Sequence, residues 1–378
     1  MPEAARYATV YVALFMLIGV QLPFWPVWFA DRGMDSDRIG WLLGSAAWAR
    51  LVAPWVGAWV DRNGRGARAV ALLAGGVLLV LLAFTQAQGF ATLMVLSIAF
   101  GLFVAPIVPL VDGLVLGAAN DGRLDYGRVR LWGSLAFVVA SIVGGEIFEG
   151  RDTSLVLVAM QLAVAALLLG ALRLPRIPRI AAPSCAVPVR EVLHHPGMVR
   201  FLIATGFLQA AHAVLYGFGT EHWLAAGIDE GTIGWLWATG VLAEICVFAI
   251  GQRLVARVGP IGLLVVAGTG ASLRWLALAT VTDVGLLFGL QLLHAASFAA
   301  LHLGAMSWIR ARFGGAATQR ATALYVAVGG GLALGTAMPI AGILYDRWAG
   351  AAFYAMALCS AIGLVLAWRL RGRETNVR

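Results

Sequence analysis

One kind of segment limits what this chain can become: an apolar run of roughly 20 residues, long enough to cross a bilayer, that recurs along the whole length. Inside lipid each run must satisfy its own backbone N–H and C=O groups, which leaves helices or a closed barrel. The runs lack the alternation of barrel strands, so helices are predicted. Composition agrees: of 378 residues, 61% are hydrophobic and 12% charged, about half the charged share of a soluble domain.

Hydropathy delimits twelve spans, at roughly 7–30, 39–60, 68–87, 90–116, 131–149, 154–172, 199–220, 232–250, 260–281, 284–307, 321–344 and 351–370. The net charge of +8 would suit nucleic acid were it a surface stripe, but all 27 basic residues are Arg and they cluster between alternate spans. With the N-terminus inside, 21 arginines are cytoplasmic and four external (Arg32, Arg38, Arg151 and Arg347), while Arg50 and Arg274 fall within spans. That asymmetry predicts a multi-pass protein with both termini in the cytoplasm; a bacterial inner membrane is the expected location. The absence of Lys excludes a GxxxxGK[ST] phosphate loop and ATP hydrolysis through one. Three cysteines, at 185, 246 and 359, suggest neither a disulfide framework nor a metal site. Arg6 and the run after it could imitate a signal peptide, but no small-residue cleavage pattern follows, so an uncleaved first helix is expected.

The longest connection, "RLPRIPRIAAPSCAVPVREVLHHPG" at 173–197, is too rich in Pro and Arg for a continuous helix. It separates an N-terminal six-helix bundle (1–172) from a C-terminal one (198–378). The halves are related. Residues 24–50 and 218–244 align without a gap: Phe24 with Phe218, Gly33 with Gly227, Asp35 with Asp229, and IGWL at 39–42 with IGWL at 233–236. The expected fold is an all-α membrane protein of twelve transmembrane helices in two parallel six-helix pseudo-repeats, halves that rock about a central site.

The same offset pairs Arg50 with Glu244. Glu244 sits in "VLAEICVFAI", with no other charge within eight residues on either side. Charges at bilayer depth cost a few kcal/mol and usually face the bundle interior with a partner. Arg50, Asp112, Glu146, Glu244 and Arg274 are such charges, joined by His212, His294 and His302. Glu146 lies near enough to an outer end to reach the interface by snorkelling. Asp112 lies near the cytoplasmic end, where Arg128 or Arg130 could latch to it. Glu244 and Arg274 lie at middle depth on adjacent spans. A carboxylate whose cationic partner can be drawn away is a proton carrier whose affinity follows conformation; the alternative is a permanent ion pair that fixes helix register.

His294, Phe298 and His302 recur at i, i+4, i+8, and Gln209, His212 and Tyr216 at i, i+3, i+7, so each trio shares a broad helical face. These faces are expected to line a polar cavity in which His titrates near neutrality. Two turns, about 12 Å, separate His294 from His302, too far for shared metal ligation. Arg50 offers a planar fork for a substrate carboxylate, with Asp112 as an internal alternative. Trp25, Trp28, Trp41, Trp223 and Trp348 are expected at the outer interface. Trp48, Trp235, Trp237 and Trp275 lie deeper and could wall an aromatic pocket.

"GAWVDRNGRG" at 57–66 resembles the loop motif of the major facilitator superfamily, Gly-x-x-x-Asp-Arg-x-Gly-Arg-Arg. Gly57, Asp61, Arg62, Gly64 and Arg65 match, and Gly66 replaces the final basic residue. The resemblance implies a latch that holds cytoplasmic helix ends, to which Asp112 and Arg130 would add. The second-half copy, "GQRLVARVG" at 251–259, lacks the Asp. "LPFWPVW" (22–28), "VPLVD" (108–112), "DYGRVRLWGS" (125–134), "AHAVLYGF" (211–218) and "LLHAASFAALHLGAM" (292–306) resemble the 3-phenylpropionic acid transporter branch of that superfamily. The branch is similar to proton symporters of oligosaccharides and nucleosides. What it implies is proton-coupled uptake of an arylalkanoate, with Glu244, Arg274, His294 and His302 placed like the coupling residues of the sugar symporters.

The expectation is therefore a secondary transporter, not an enzyme, that carries a small organic anion with a proton by alternating access. It would need no cofactor and no metal, bind no nucleic acid, and act as a monomer in the bilayer. Arg50, Gln209, His212, Tyr216, Trp237 and Phe298 would meet the substrate. A proton-coupled exporter of hydrophobic compounds and a nucleoside or sugar symporter are the alternatives within transport; a polytopic enzyme and a non-transporting sensor are the alternatives outside it.

Overall fold

The computed structural model describes residues 2–175 and 187–371, with every side chain in them except those at 58, 61 and 62. Among the described residues every regular element is helical. Ten helices among the described residues are long and apolar enough to cross a membrane. One of them, Gly315–Trp368, makes two passes: the helix Leu334–Trp348 stops at Ala349, whose φ of +46° breaks the helix, and Ala352–Trp368 returns. The remaining pass is an interrupted one. It consists of Ser36–Trp48, a 3-10 turn at Ala49–Leu51, and Ala53–Asn63, where Pro54 sits in the first turn and needs no N–H partner. The fold is thus the twelve-helix membrane architecture predicted above.

The sequence repeat is also a repeat of geometry. The first span, Glu3–Asp31, ends with Gly33 at φ +75°; its N–H reaches Ala30 O at 2.9 Å and that of Met34 reaches Phe29 O at 3.2 Å. The seventh, Met198–Ala225, ends with Gly227 at φ +82°, Gly227 N–H on Leu224 O at 2.9 Å and Ile228 N–H on Trp223 O at 3.0 Å. Both are Schellman endings, which need a left-handed residue and so favour glycine. Asp35 then caps the next helix by accepting from Arg38 N (2.8 Å), as Asp229 accepts from Thr232 N (2.6 Å).

The chain divides into two compact units, Met1–Ala182 with Gly219–Ala238, and Pro183–Phe218 with Thr239–Arg378. The facing ends of spans seven and eight thus group with the first six spans. In the first unit, the first span packs on the fifth (Tyr126–Phe148) and sixth (Ser154–Leu172). A Cβ on Gly19 would stand 2.7 Å from Phe137 O, so only glycine permits this approach. The fifth span meets the start of the eighth, Glu230–Ala249, as closely: Cβ atoms on Gly145 and Gly234 would stand 2.3 Å from Glu230 O and Ser141 O. Trp25 stacks on Trp28 at 4.5 Å and Phe84 meets Trp25 edge-on at 5.1 Å. Trp25, Trp28 and Trp223 are buried, not at the lipid interface as expected; packing against aromatic neighbours replaces the belt position. Trp41 and Trp348 are exposed.

In the second unit, the ninth span, Pro260–Leu278, packs on the twelfth, Ala352–Trp368, which also packs on the helix Met198–Ala210. Phe201 and Trp308 stack at 4.2 Å within the core. Leu72, Leu79, Leu162 and Leu358 point outward, as lipid-facing side chains should.

Candidate functional site

The second unit holds a polar cluster in an apolar interior. Arg274, on the ninth span, is only 1% exposed. Its Nη2 donates to Gln291 Oε1, and its Nη1 donates to His294 Nδ1 (3.2 Å) and Ser297 Oγ (3.2 Å). The guanidinium lies 5.0 Å from the Trp275 ring centre. Its Nε, the Gln291 amide nitrogen and Trp275 Nε1 are buried without a hydrogen-bond partner. On the far side of His294, Nε2 lies 3.4 Å from Glu244 Oε2. The direct Glu244–Arg274 pairing expected above is therefore replaced by a bridge, with an imidazole between acid and base.

Local structure explains the bridge. The tenth span, Val284–Arg312, winds as a π-helix over Ala295–Ala300, which turns Ser297 back so that its hydroxyl accepts from Arg274 and donates to His294 O (3.4 Å). Such wide turns recur at functional positions. The eighth span makes room with Gly240, where a Cβ would stand 3.3 Å from His294 Cβ; Glu244 follows one turn later on the same face.

The hydrogen-bond pattern fixes the imidazoles. Guanidinium nitrogens only donate, so His294 Nδ1 accepts and the ring hydrogen sits on Nε2, facing Glu244. His212 has the opposite tautomer. Its Nδ1 is 3.0 Å from Leu208 O, an acceptor, so Nδ1 carries the hydrogen and Nε2 is a buried lone pair with no partner. His212 lies where the seventh span breaks between Met198–Ala210 and Ala213–Ala225. The rings of Trp275 (5.2 Å), Tyr216 (5.3 Å), His294 (6.2 Å) and Phe298 (6.3 Å) surround it.

The structure thus gathers Arg274, His294, Glu244, His212, Tyr216 and Phe298. His302 belongs to other surroundings, beside Phe248 (6.0 Å) and Tyr325 (6.4 Å). Gln209 turns toward Gly329, whose added Cβ would touch its side chain at 3.7 Å. Gln291 and Ser297 escaped the sequence reading. Their signal is spacing: each stands three residues from His294, on its face of the span.

A second polar cluster lies in the first unit. Asp112 accepts from the Tyr11 hydroxyl and, at 3.3 Å, from that of Tyr126; Arg130 Nε is 3.7 Å away. The Arg130 guanidinium lies over Phe15 at 4.2 Å. Of the two latch partners expected for Asp112, Arg130 is the one that pairs. Arg50 lies exposed in the 3-10 turn Ala49–Leu51. On another face of that turn Trp41, Trp48, Met94 and Ile98 line an apolar groove of about 450 Å³. Trp237 donates from Nε1 to Thr220 Oγ1 at 3.0 Å. In the loop motif, Gly57 lies within the helix Ala53–Asn63, Gly64 ends that helix at φ +61°, and Arg65 follows; the Asp61 and Arg62 side chains lie outside the described residues.

Twelve helical passes and ionisable groups buried among them define a polytopic membrane transporter of the major facilitator type. The chain belongs to the MFS_1 like family, whose model matches residues 4–356. It is 36% identical over 370 residues, 94% of this chain and 95% of the relative, to the "Probable 3-phenylpropionic acid transporter" of Escherichia coli (strain K12). It is 27% identical to the "Maltose permease" of Geobacillus stearothermophilus, over 96% of this chain and 93% of that one. Among solved structures it is similar to the nucleoside transporter NupG, with a TM-score of 0.84 at 15% identity over 98% of this chain and 99% of that one. A bacterial homologue of the lysosomal transporter Spinster has a TM-score of 0.74 at 13% identity, over 97% and 95% of the two chains. At such identities the two structures speak for the fold alone.

Proposed function

We propose that this protein imports a small organic anion, an aromatic carboxylate of the phenylpropionate class, together with a proton across a bacterial inner membrane. The observation that carries the reading is the Arg274–His294–Glu244 array, with a buried guanidinium and imidazole and a partly buried carboxylate within an apolar span. An ionisable group in a membrane span is costly, and such groups mark solute pathways and proton relays. Glu244 takes up the proton, Arg274 and His294 tune it, and Arg50 holds the carboxylate while Trp and Phe side chains pack the ring. One proton per monoanion makes the cycle electroneutral. Two six-helix bundles, 1–172 and 198–378, alternate access to the substrate, with both termini in the cytoplasm and one chain as the working unit. The relative named as a phenylpropionic acid transporter supports the substrate class; the maltose permease makes a sugar the second choice.

Proteoliposomes with an imposed pH gradient test the reading. Radiolabelled 3-phenylpropionate should accumulate when the outside is acidic. Accumulation driven by inside acidity would mean exchange and export. Accumulation of maltose or a nucleoside in place of the acid would overturn the substrate class.

A further inference from the structure

We propose that Gln291 is a positioning residue: by anchoring Arg274 it fixes the tautomer of His294 and so aims the imidazole N–H at Glu244. Gln291 is 2% exposed on the tenth span, and its Oε1 accepts from Arg274 Nη2. With that end of the guanidinium held, Nη1 is left to face His294 Nδ1 and Ser297 Oγ, both at 3.2 Å. Neither partner is an acid, so the guanidinium is oriented by neutral acceptors. A donor fixed on Nδ1 leaves the ring only one neutral form, with hydrogen on Nε2, which lies 3.4 Å from Glu244 Oε2. His294 acts here as a fixed donor, because a hydrogen on Nδ1 would collide with the guanidinium N–H. The chain Gln291, Arg274, His294, Glu244 thus runs through three contacts, and Gln291 acts on the imidazole through Arg274. This role rests on the reading of Glu244 as the proton-binding acid, yet the tautomer itself can be observed without transport.

The test uses the full-length protein in lipid with its histidines labelled with ¹⁵N, of which there are six. The His294 signals are assigned by their loss in His294→Gln, and spectra are recorded at mildly alkaline pH, where the rings are neutral. The wild type should show His294 at least tenfold biased to the Nε2–H form. Gln291→Met keeps the length and volume of the side chain but removes the oxygen. It should bring the two tautomers within about threefold of each other, because the guanidinium loses the acceptor that holds it against Nδ1. Gln291→Glu restores an acceptor at the same reach and should restore the bias. A purely structural role would lower yield or melting temperature and leave the tautomer ratio alone. An unchanged ratio in Gln291→Met overturns the proposal, as does a failure of Gln291→Glu to restore it. If the ratio collapses in Gln291→Met while driven uptake is unaffected, the positioning stands and the tuning of Glu244 by His294 falls.

Discussion

His294 Nε2 lies 3.4 Å from Glu244 Oε2, with the ring hydrogen on that nitrogen. The two amide substitutions of His294 therefore differ. Glutamine places an N–H near the Nε2 position and asparagine places one near Nδ1. His294→Gln should retain a large part of driven uptake, and His294→Asn should lose about tenfold or more, the scale of a misplaced hydrogen bond to a charged group. Initial rates in proteoliposomes check this. Equal loss in both variants would mean that the ring itself carries the proton.

Gly145 and Gly234 are tested by adding one methyl. Their added Cβ atoms would stand 2.3 Å from Glu230 O and Ser141 O. Overpacking of this kind costs ~1–3 kcal/mol. Gly145→Ala and Gly234→Ala should melt earlier in detergent than wild type. Gly113→Ala, with nothing within 4 Å of the added atom, should melt no earlier.

Asp229 gives a pH dependence with a definite sign. The Thr232 backbone N–H holds its carboxyl below the usual carboxylate range. A depressed folded value means that the cap stabilises above the unfolded pKa, about 3.9, and that the contribution fades as pH falls through the folded value. Asp229→Ala should cost ~1 kcal/mol at neutral pH. The gap in melting temperature between wild type and Asp229→Ala should shrink below about pH 4. Asp229→Asn, which still caps, should show a smaller gap at neutral pH.

Asp112 has three partners, Tyr11, Tyr126 and Arg130. Asp112→Ala would strand two hydroxyls and a guanidinium whose Nη1 already lacks a partner. Both charged side chains are over a quarter exposed, so the expected loss is discounted to ~2 kcal/mol. Asp112→Asn should lose less, because its amide oxygen still accepts from Tyr11. Thermal melts of the two variants decide the order.

Much of this was legible in the sequence for physical reasons. Lipid demands self-satisfied helices, so the spans announce themselves, and Gly33 with Asp35 repeats as Gly227 with Asp229 because the same turn needs the same residues. Glu244 and Arg274 stand out because charge is expensive in lipid. Gln291 and Ser297 did not, since a neutral polar residue in a span is as common on a packing face as in a site. The break at His212 involves neither Pro nor Gly, and the π-turn over Ala295–Ala300 carries no local signature. The burial of Trp25, Trp28 and Trp223 depends on partners on other helices, Phe84 for the first two and Trp237 for the third, which periodicity does not disclose.

Glu244→Gln, in proteoliposomes with an acidic exterior, measures the core of the account most directly. Labelled 3-phenylpropionate should no longer accumulate above its equilibrium level, while exchange of the acid at equal concentration and pH on both sides continues. Accumulation at the wild-type level in that variant would contradict the assignment of Glu244 as the group that takes up the proton.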